Sequence, residues 1–341
     1  FGVRHNLTAG VNLQALIFDG TFFVGLKASR MYKELLQRER AQTEADIRDA
    51  VRRAYLAVLL SDKSLGIINK NIANLEKTLR ETRAIYEEGF AEKLDVDRLD
   101  LSLQNLRTDQ ENLTRAMAIS KNMLKFQMGY PLEEEIVLTD DIDGLIRLTL
   151  AEEANLSGGF DITARPEYGV LEQAEELNEI NIQRYQMGYL PTLYANGSYQ
   201  QQLFANQLSQ GRWFPATFVG GTLNIPLFDG FLKRSQIQTA KIDLDKTRIQ
   251  RELFIRSANM EVTNARIQYL NALQTLRSRE RTVDLAEEIY ETTQIKYREG
   301  VGSSLEVNQA ESELYQSQSH YIDALYNLLI AKVDLNKALG K

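Results

Sequence analysis

Ile17-Phe18-Asp19-Gly20 returns as Pro226-Leu227-Phe228-Asp229-Gly230, with an offset of 210 between the two aspartates. Tyr86-Glu87-Glu88-Gly89, followed by Leu94-x-Val96, returns as Tyr297-Arg298-Glu299-Gly300, followed by Leu305-x-Val307, at an offset of 211. The same offset pairs Val51 with Val262, Leu124 with Leu335 and Gly129 with Gly340. A unit this long is no short-period solenoid, so the reading is a duplicated domain or a pseudo-symmetric assembly.

After Asp229-Gly230 come roughly 110 residues with almost no breakers, interrupted around Gly300-Val301-Gly302. The stretch of about 70 residues before that break predicts a helix near 100 Å long at ~1.5 Å per residue. Its apolar positions, Ile255, Val262, Ile267, Leu270, Leu273, Leu276, Val283, Leu285 and Ile289, are narrowly spaced between charges, the pattern of a coiled-coil seam. A return helix carries Val307, Ala310, Leu314, Ala324, Leu328 and Val333, making a long antiparallel pair. The first copy repeats this with a long helix to Glu88, a break at Gly89 and a return helix to about Gln127.

Before Asp229-Gly230 the period is two. Leu193, Ala195, Gly197 and Tyr199 alternate with Tyr194, Asn196, Ser198 and Gln200, and a polar loop holding Gln201-Gln202, Asn206 and Ser209-Gln210-Gly211 follows. A second strand runs from about Ala216 to Leu227. Upstream, Pro166 opens a helix with Val170, Leu171, Ala174, Leu177 and Ile180 at helical spacing, ended by Gly188 and Pro191. In copy one, Leu7, Ala9, Val11, Leu13 and Ala15 alternate with Thr8, Gly10, Asn12 and Gln14. Counting against copy two, a helix and a strand of roughly 45–50 residues are expected before residue 1.

The partition expected from this is as follows: 1–18 a strand, 19–130 a helical hairpin, 131–165 a region linking the copies, 166–189 a helix, 190–228 a strand hairpin and 229–341 a second helical hairpin. The fold class is mainly α with β.

Composition narrows the function. The chain of 341 residues has no cysteine, so it offers no disulfide framework and no thiolate nucleophile. His5 and His320 are too few for a metal cluster and read as surface histidines. A net charge of −7 argues against nucleic acid. No run of about 18 apolar residues suggests a membrane-spanning helix. No nucleophile–base pair or phosphate loop suggests an enzyme, and no cofactor is implied. The carboxylate pairs Glu133-Glu134 and Glu175-Glu176 read as solvated charges.

Two readings of the strands remain open on periodicity: a soluble β tip on a helical rod, or a barrel wall with lipid outside and water inside. Thr8, Asn12, Gln14, Asn196, Ser198, Gln200, Thr222 and Asn224 are uncharged and suit a wet lumen. Trp213, Phe214, Tyr199 and Phe204 suit an interfacial aromatic girdle. A few strands cannot close a barrel, and bilayers exclude open edges, so an oligomer would have to complete it.

The order helix, strand, strand, Phe-Asp-Gly, very long helix, Tyr-x-x-Gly tip and return helix, in two copies, resembles the TolC-type outer-membrane efflux channels. Arg165-Pro166-Glu167, Gly188-Tyr189-Leu190-Pro191 and Ile225-Pro226-Leu227-Phe228-Asp229-Gly230 carry the likeness. The resemblance implies a homotrimer in the outer membrane of a Gram-negative bacterium. A transmembrane β-barrel of twelve strands, four per full protomer, would sit in outer-membrane lipid above a periplasmic α-helical tunnel. It implies a passive exit duct of a tripartite efflux pump or type I secretion system, partnered by a periplasmic membrane-fusion adaptor and an inner-membrane transporter. The alternative is a non-channel periplasmic coiled-coil adaptor or scaffold.

The resemblance also assigns residues. Glu88-Gly89-Phe90 and Glu299-Gly300-Val301 match the tips that dock the adaptor, with glutamate where the family has valine. Glu306 matches the first acid of the pore constriction, and Gln309 stands at the second. Tyr297 and Asp95 match a hydrogen-bonded pair that locks the tunnel, whose arginine is replaced by Gly302.

Overall fold

The computed structural model describes residues 5–140, 142–151, 159–205 and 211–341. Residues 1–4, the loop positions 206–210 with Asn206 and Ser209-Gln210, and Ser157-Gly158 of the linker lie outside the described residues. The order is β1 (His5–Phe18), α1 (Gly20–Glu87), α2 (Lys93–Met128), α3 (Ile142–Ala151), a short 3₁₀ turn (Ile162–Ala164), α4 (Pro166–Met187), β2 (Thr192–Ala205), β3 (Arg212–Asn224), α5 (Leu232–Arg298) and α6 (Ser304–Ala338). Two compact units result: Phe1–Arg40 with Glu167–Phe254, and Ala41–Pro166 with Ile255–Lys341.

In the first unit β1, β2 and β3 form one antiparallel sheet in that order. The register places Leu7, Leu203 and Trp213 side by side, then Val11, Tyr199 and Thr217, then Leu13, Gly197 and Val219 on one face. Thr8, Gln202 and Phe214, then Asn12, Ser198 and Phe218, then Gln14, Asn196 and Gly220 share the other, because residues directly opposite in a ladder point the same way. The strands run further into the loop than the alternation suggested. Gln201-Gln202, expected in the loop, lie within β2, and β3 starts at Arg212 and ends before Ile225. Glutamine and asparagine weaken a sequence signal for strand, but the two-residue period continues through them.

The aromatic girdle divides between the faces. Tyr199 and Trp213 stand on the apolar face, whereas Phe204 and Phe214 stack 6.4 Å apart on the polar one. Apolar side chains on the sheet are open to solvent: Val11, Leu13 and Val219 are 72%, 72% and 88% exposed. Among the described residues β1 and β3 each keep one unpaired edge, and no helix covers either face.

Each strand exit is fastened to the helix that follows by its aspartate. Asp19 Oδ1 accepts from the Thr21 amide at 2.7 Å, and Asp229 Oδ2 accepts from the Lys233 amide at 3.0 Å, satisfying otherwise orphaned first-turn donors. Helix α4 departs from its expected apolar stripe. Ile180 is buried, but Gln173 and Glu175 are buried with it. Glu175 holds Arg248 and Arg251 of α5, each at 2.8 Å, so this carboxylate is an ion-paired bridge and not a solvated charge.

The second unit is built on helix seams. Leu56, Leu59 and Leu60 of α1, Ile142 and Ile146 of α3, Val262 to Leu276 of α5 and Ala324 to Ala338 of α6 make its largest core. The true α5 seam is Ala258, Val262, Ala265, Tyr269, Leu273 and Leu276, repeating at three and four residues. Ile267, Leu270, Leu285 and Ile289, expected in the seam, are largely exposed. Alanines and a tyrosine hid the register because hydrophobicity alone gives them little weight. Tyr269 is fully buried, and its hydroxyl donates to the Thr149 carbonyl at 3.2 Å. Arg165 is buried too and donates to the Ala338 carbonyl at 3.2 Å, closing the end of α6.

Candidate functional site

The helix–helix turns of the second unit are built alike. Gly89 (φ +82°) and Gly300 (φ +75°) adopt the left-handed conformation that glycine accepts without a Cβ penalty. In turn one the Gly89 amide donates to the Tyr86 carbonyl and Phe90 to Ile85; in turn two Gly300 donates to Tyr297 and Val301 to Lys296. These are paired Schellman closures, in which an apolar residue after the glycine ordinarily folds back onto its helix. Here Phe90 and Val301 are 86% and 78% exposed. Both turns line one groove with Glu92, Leu94, Arg98 and Arg298, with a cavity near 660 Å³. The return helices begin on local caps: Glu92 and Asp95 cap α2 reciprocally, and Ser303 Oγ accepts from the Glu306 amide.

Helix α6 then presents three faces. Val307, Ala310 and Leu314 pack with Ala286 and Tyr290 of α5, an apolar seam within the second hairpin. The first hairpin has its own: Ile72, Leu75 and Leu79 against Val96, Leu99, Leu103 and Leu106. A second face, Ser304, Asn308, Glu311, Tyr315 and Gln318, recurs at helical spacing and is polar. It meets the first hairpin. Ser304 Oγ bonds Asp95 Oδ1 of α2, and Gln318 Oε1 accepts from Asn71 of α1 at 2.7 Å. From α5, Gln294 donates to Thr78 Oγ1 at 3.1 Å, and Tyr297 shares a hydrogen bond with Thr82. The third face, Glu306, Gln309, Glu313 and His320, is exposed.

Glu311 is the unusual member. It is 2% exposed and accepts from the hydroxyls of Tyr315 at 2.9 Å and Tyr290 at 3.5 Å. Burial raises its pKa to about 7, the two hydroxyl donors opposing that rise. Burial first, and then the Glu311 charge, pushes both phenols up.

The residues expected from sequence fall as follows. Glu88, Gly89, Phe90, Glu299, Gly300 and Val301 all sit in the two turns. Glu306 projects from the first turn of α6, and Gln309 Nε2 donates to Glu313 at 3.3 Å on the same face. Tyr297 and Asp95 do not form the expected bond. Tyr297 bonds Thr82, and Asp95 divides its oxygens between the Glu92 amide and Ser304. Burial raises the Tyr297 pKa, with the Asp95 charge a smaller cause. A Cβ at Gly302 would come within 3.1 Å of the Tyr297 amide nitrogen, so the turn is drawn tight at this position. Ser304, Thr82, Glu311 and Tyr315 escaped the sequence reading; the polar repeat 304/308/311/315/318 pointed to the three on α6, and nothing pointed to Thr82 on α1.

Among the described residues no group of histidine, aspartate or glutamate has the arrangement of a metal site. No helix among the described residues is long and apolar enough to cross a membrane. The sequence matches the model of the family described as outer membrane efflux protein over residues 3–130 and 165–341. The chain belongs to that family.

Among its relatives is the probable efflux pump outer membrane protein SepC of Pseudomonas putida, 24% identical over 99% of this chain and 69% of that protein. The outer membrane protein TolC of Vibrio cholerae is 21% identical over 98% of this chain and 76% of that protein. The crystal structure of the outer membrane protein VceC from Vibrio cholerae superposes with a TM-score of 0.75 at 15% identity, covering 99% of this chain and 87% of that one. Membership makes the protein a TolC-type outer-membrane efflux channel and not an enzyme, and sets aside the non-channel adaptor or scaffold.

Proposed function

We propose that three copies of this chain form the exit duct of a tripartite efflux pump or a type I secretion system, passive by itself. A periplasmic membrane-fusion adaptor and an inner-membrane transporter would open it. The observation that carries the trimer is the open sheet: two unpaired edges and uncovered apolar side chains demand neighbours and lipid. In the assembly residues 1–18 and 190–228 supply barrel wall in outer-membrane lipid. Residues 19–130 and 229–341 supply the periplasmic tunnel, residues 131–165 lie at its equator, and the helix 166–189 leads into the barrel hairpin.

The tips are the adaptor-docking elements. Phe90 and Val301 stand out from their turns as apolar knobs with Glu88 and Glu299 beside them, a surface for a partner with apolar sockets and basic rims. Glu306 and Gln309 face the pore, and three copies of Glu306 form its acidic constriction, attracting cations. Asp95, Tyr297 and the tight turn at Gly302 hold the closed state, with Ser304 taking over as the partner of Asp95.

Purification in mild detergent and single-channel recording test the reading. A three-fold particle that conducts is expected. A protein monodisperse without detergent that never conducts contradicts it.

A further inference from the structure

Glu311 lies where the two hairpins meet, and its surroundings are unusual for a carboxylate. The groups that face it are phenols: Tyr290 on α5 and Tyr315 on its own helix. Tyr290 also accepts from Gln294 at 2.8 Å, and Gln294 reaches Thr78 of α1, a neutral hydroxyl. Tyr315 rests on both the first hairpin's apolar seam and the second's, and on the α2 side Leu106 and Leu113 line the cavity beside it. The charges nearest this face are acidic: Asp109 of α2 and Asp323 of α6 line the cavity beside Tyr315 and Gln318, and toward the turns Asp95 stands beside Ser304, about two helical turns away. Among the described residues no lysine or arginine pairs with Glu311. A buried carboxylate without a cation favours its neutral form, since ionisation there forfeits hydration.

We infer that Glu311 is a proton-controlled latch: it stays protonated while the second hairpin is packed on the first, and releases its proton to water when the hairpins part. The network Glu311–Tyr290–Gln294–Thr78 ties α6 and α5 to α1, so the charge state of one atom pair bears on the whole seam. The rise to about 7 agrees with this geometry. Because the packed state binds the proton more tightly than the parted state, its advantage is greatest below the ordinary carboxylate range. That advantage shrinks as pH climbs from there to about 7, and is constant above. Acid holds the seam shut; neutral to alkaline pH loosens it. Between about pH 5 and pH 8 the ratio of parted to packed hairpins should rise roughly tenfold or more per protomer.

The inference rests on the channel reading only for its consequence in transport, and the test separates the two. The chain has no cysteine, so Arg83→Cys on α1 and Glu291→Cys on α5, both exposed, take spin labels cleanly. In the full chain in detergent, the distance between labels within one protomer should be short and narrow at about pH 5.5 and gain a longer component at about pH 8. Glu311→Gln, which fixes the neutral form, should keep the narrow distance at both. Infrared spectra at about pH 6 should show a protonated-carboxyl band that vanishes in Glu311→Gln. A label distance in the unsubstituted protein that ignores pH, a pH response retained in Glu311→Gln, or no such band would each overturn the latch. Were Glu311→Gln to misfold, the pH response and the band in the unsubstituted protein still decide. A protein that never conducts would sink the channel reading while leaving these measurements to judge Glu311.

Discussion

Two seams in the second unit share the same helices and are made of opposite materials. Within each hairpin the contact is hydrocarbon: Leu75, Leu99 and Leu103 in the first, Val307, Ala310 and Leu314 in the second. Between hairpins, toward the turns, it is a ladder of hydrogen bonds through Asn71–Gln318, Thr78–Gln294, Thr82–Tyr297 and Asp95–Ser304. Opening a hydrocarbon seam exposes apolar surface at about 25 cal/mol per Å² with nothing in return. Opening a hydrogen-bonded seam exchanges each bond for one with water, a net loss of only about 1 kcal/mol apiece. Each hairpin therefore holds together as a body, and the line between the bodies is where the tunnel can yield.

The largest expected effect comes from damaging a seam that should never open. Leu75→Ala removes a fully buried side chain from the first hairpin and should cost about 2–5 kcal/mol. Thermal unfolding of the helical signal checks it; a cost below ~1 kcal/mol would mean that this contact is not the hairpin's core.

Next come the tips. Gly89→Val with Gly300→Val places β-branched residues at positive φ, adding roughly 1–2 kcal/mol of strain per turn, and should abolish adaptor binding while trimers persist. Pull-down with the adaptor and sizing in detergent read the two outcomes. Export at normal levels would remove the tips from the docking surface.

A smaller effect sharpens the contrast between seams. Ser304→Ala removes one rung and should weaken closure by about 1 kcal/mol, raising open probability several-fold in planar bilayers. Tyr297→Phe should do no more than that, because its hydroxyl bonds Thr82 and not Asp95. If Tyr297→Phe opened the channel far more than Ser304→Ala, the ladder would be wrongly apportioned.

Glu306→Gln should be the mildest for stability, since the side chain is exposed, yet it should reduce cation preference and block by multivalent cations. Gln309→Asp should strengthen both. Reversal potentials decide; unchanged selectivity in Glu306→Gln would leave the residue a solvated helix acid.

Much of this was legible in the repeat. Gly89, Gly129, Gly300 and Gly340 pair at one offset, and all four take positive φ at helix ends. The Phe-Asp-Gly corners marked where strand becomes helix because an aspartate must cap what a strand cannot. The α5 register was obscured by Ala258, Ala265 and Tyr269, small or amphipathic residues that fill a close seam without a strong hydropathy signal. Glu175 and Glu311 were unreadable for another reason. A carboxylate looks solvated in a sequence, and only the arginines beside one and the phenols beside the other show why each is buried. The Asp95–Ser304 bond joins helices of different copies, a distance along the chain that no local pattern encodes.

The most direct test of the account couples the polar seam to conduction. Cysteines at Asn71 and Gln318, whose side chains now share a hydrogen bond, can be joined by a short bifunctional thiol reagent in a chain that has no other cysteine. Recorded in planar bilayers, the crosslinked channel should lose its high-conductance openings, while either single-cysteine variant treated alike keeps them. A fully crosslinked protein that opens as often as the untreated one would contradict the claim that the hairpins part along this seam.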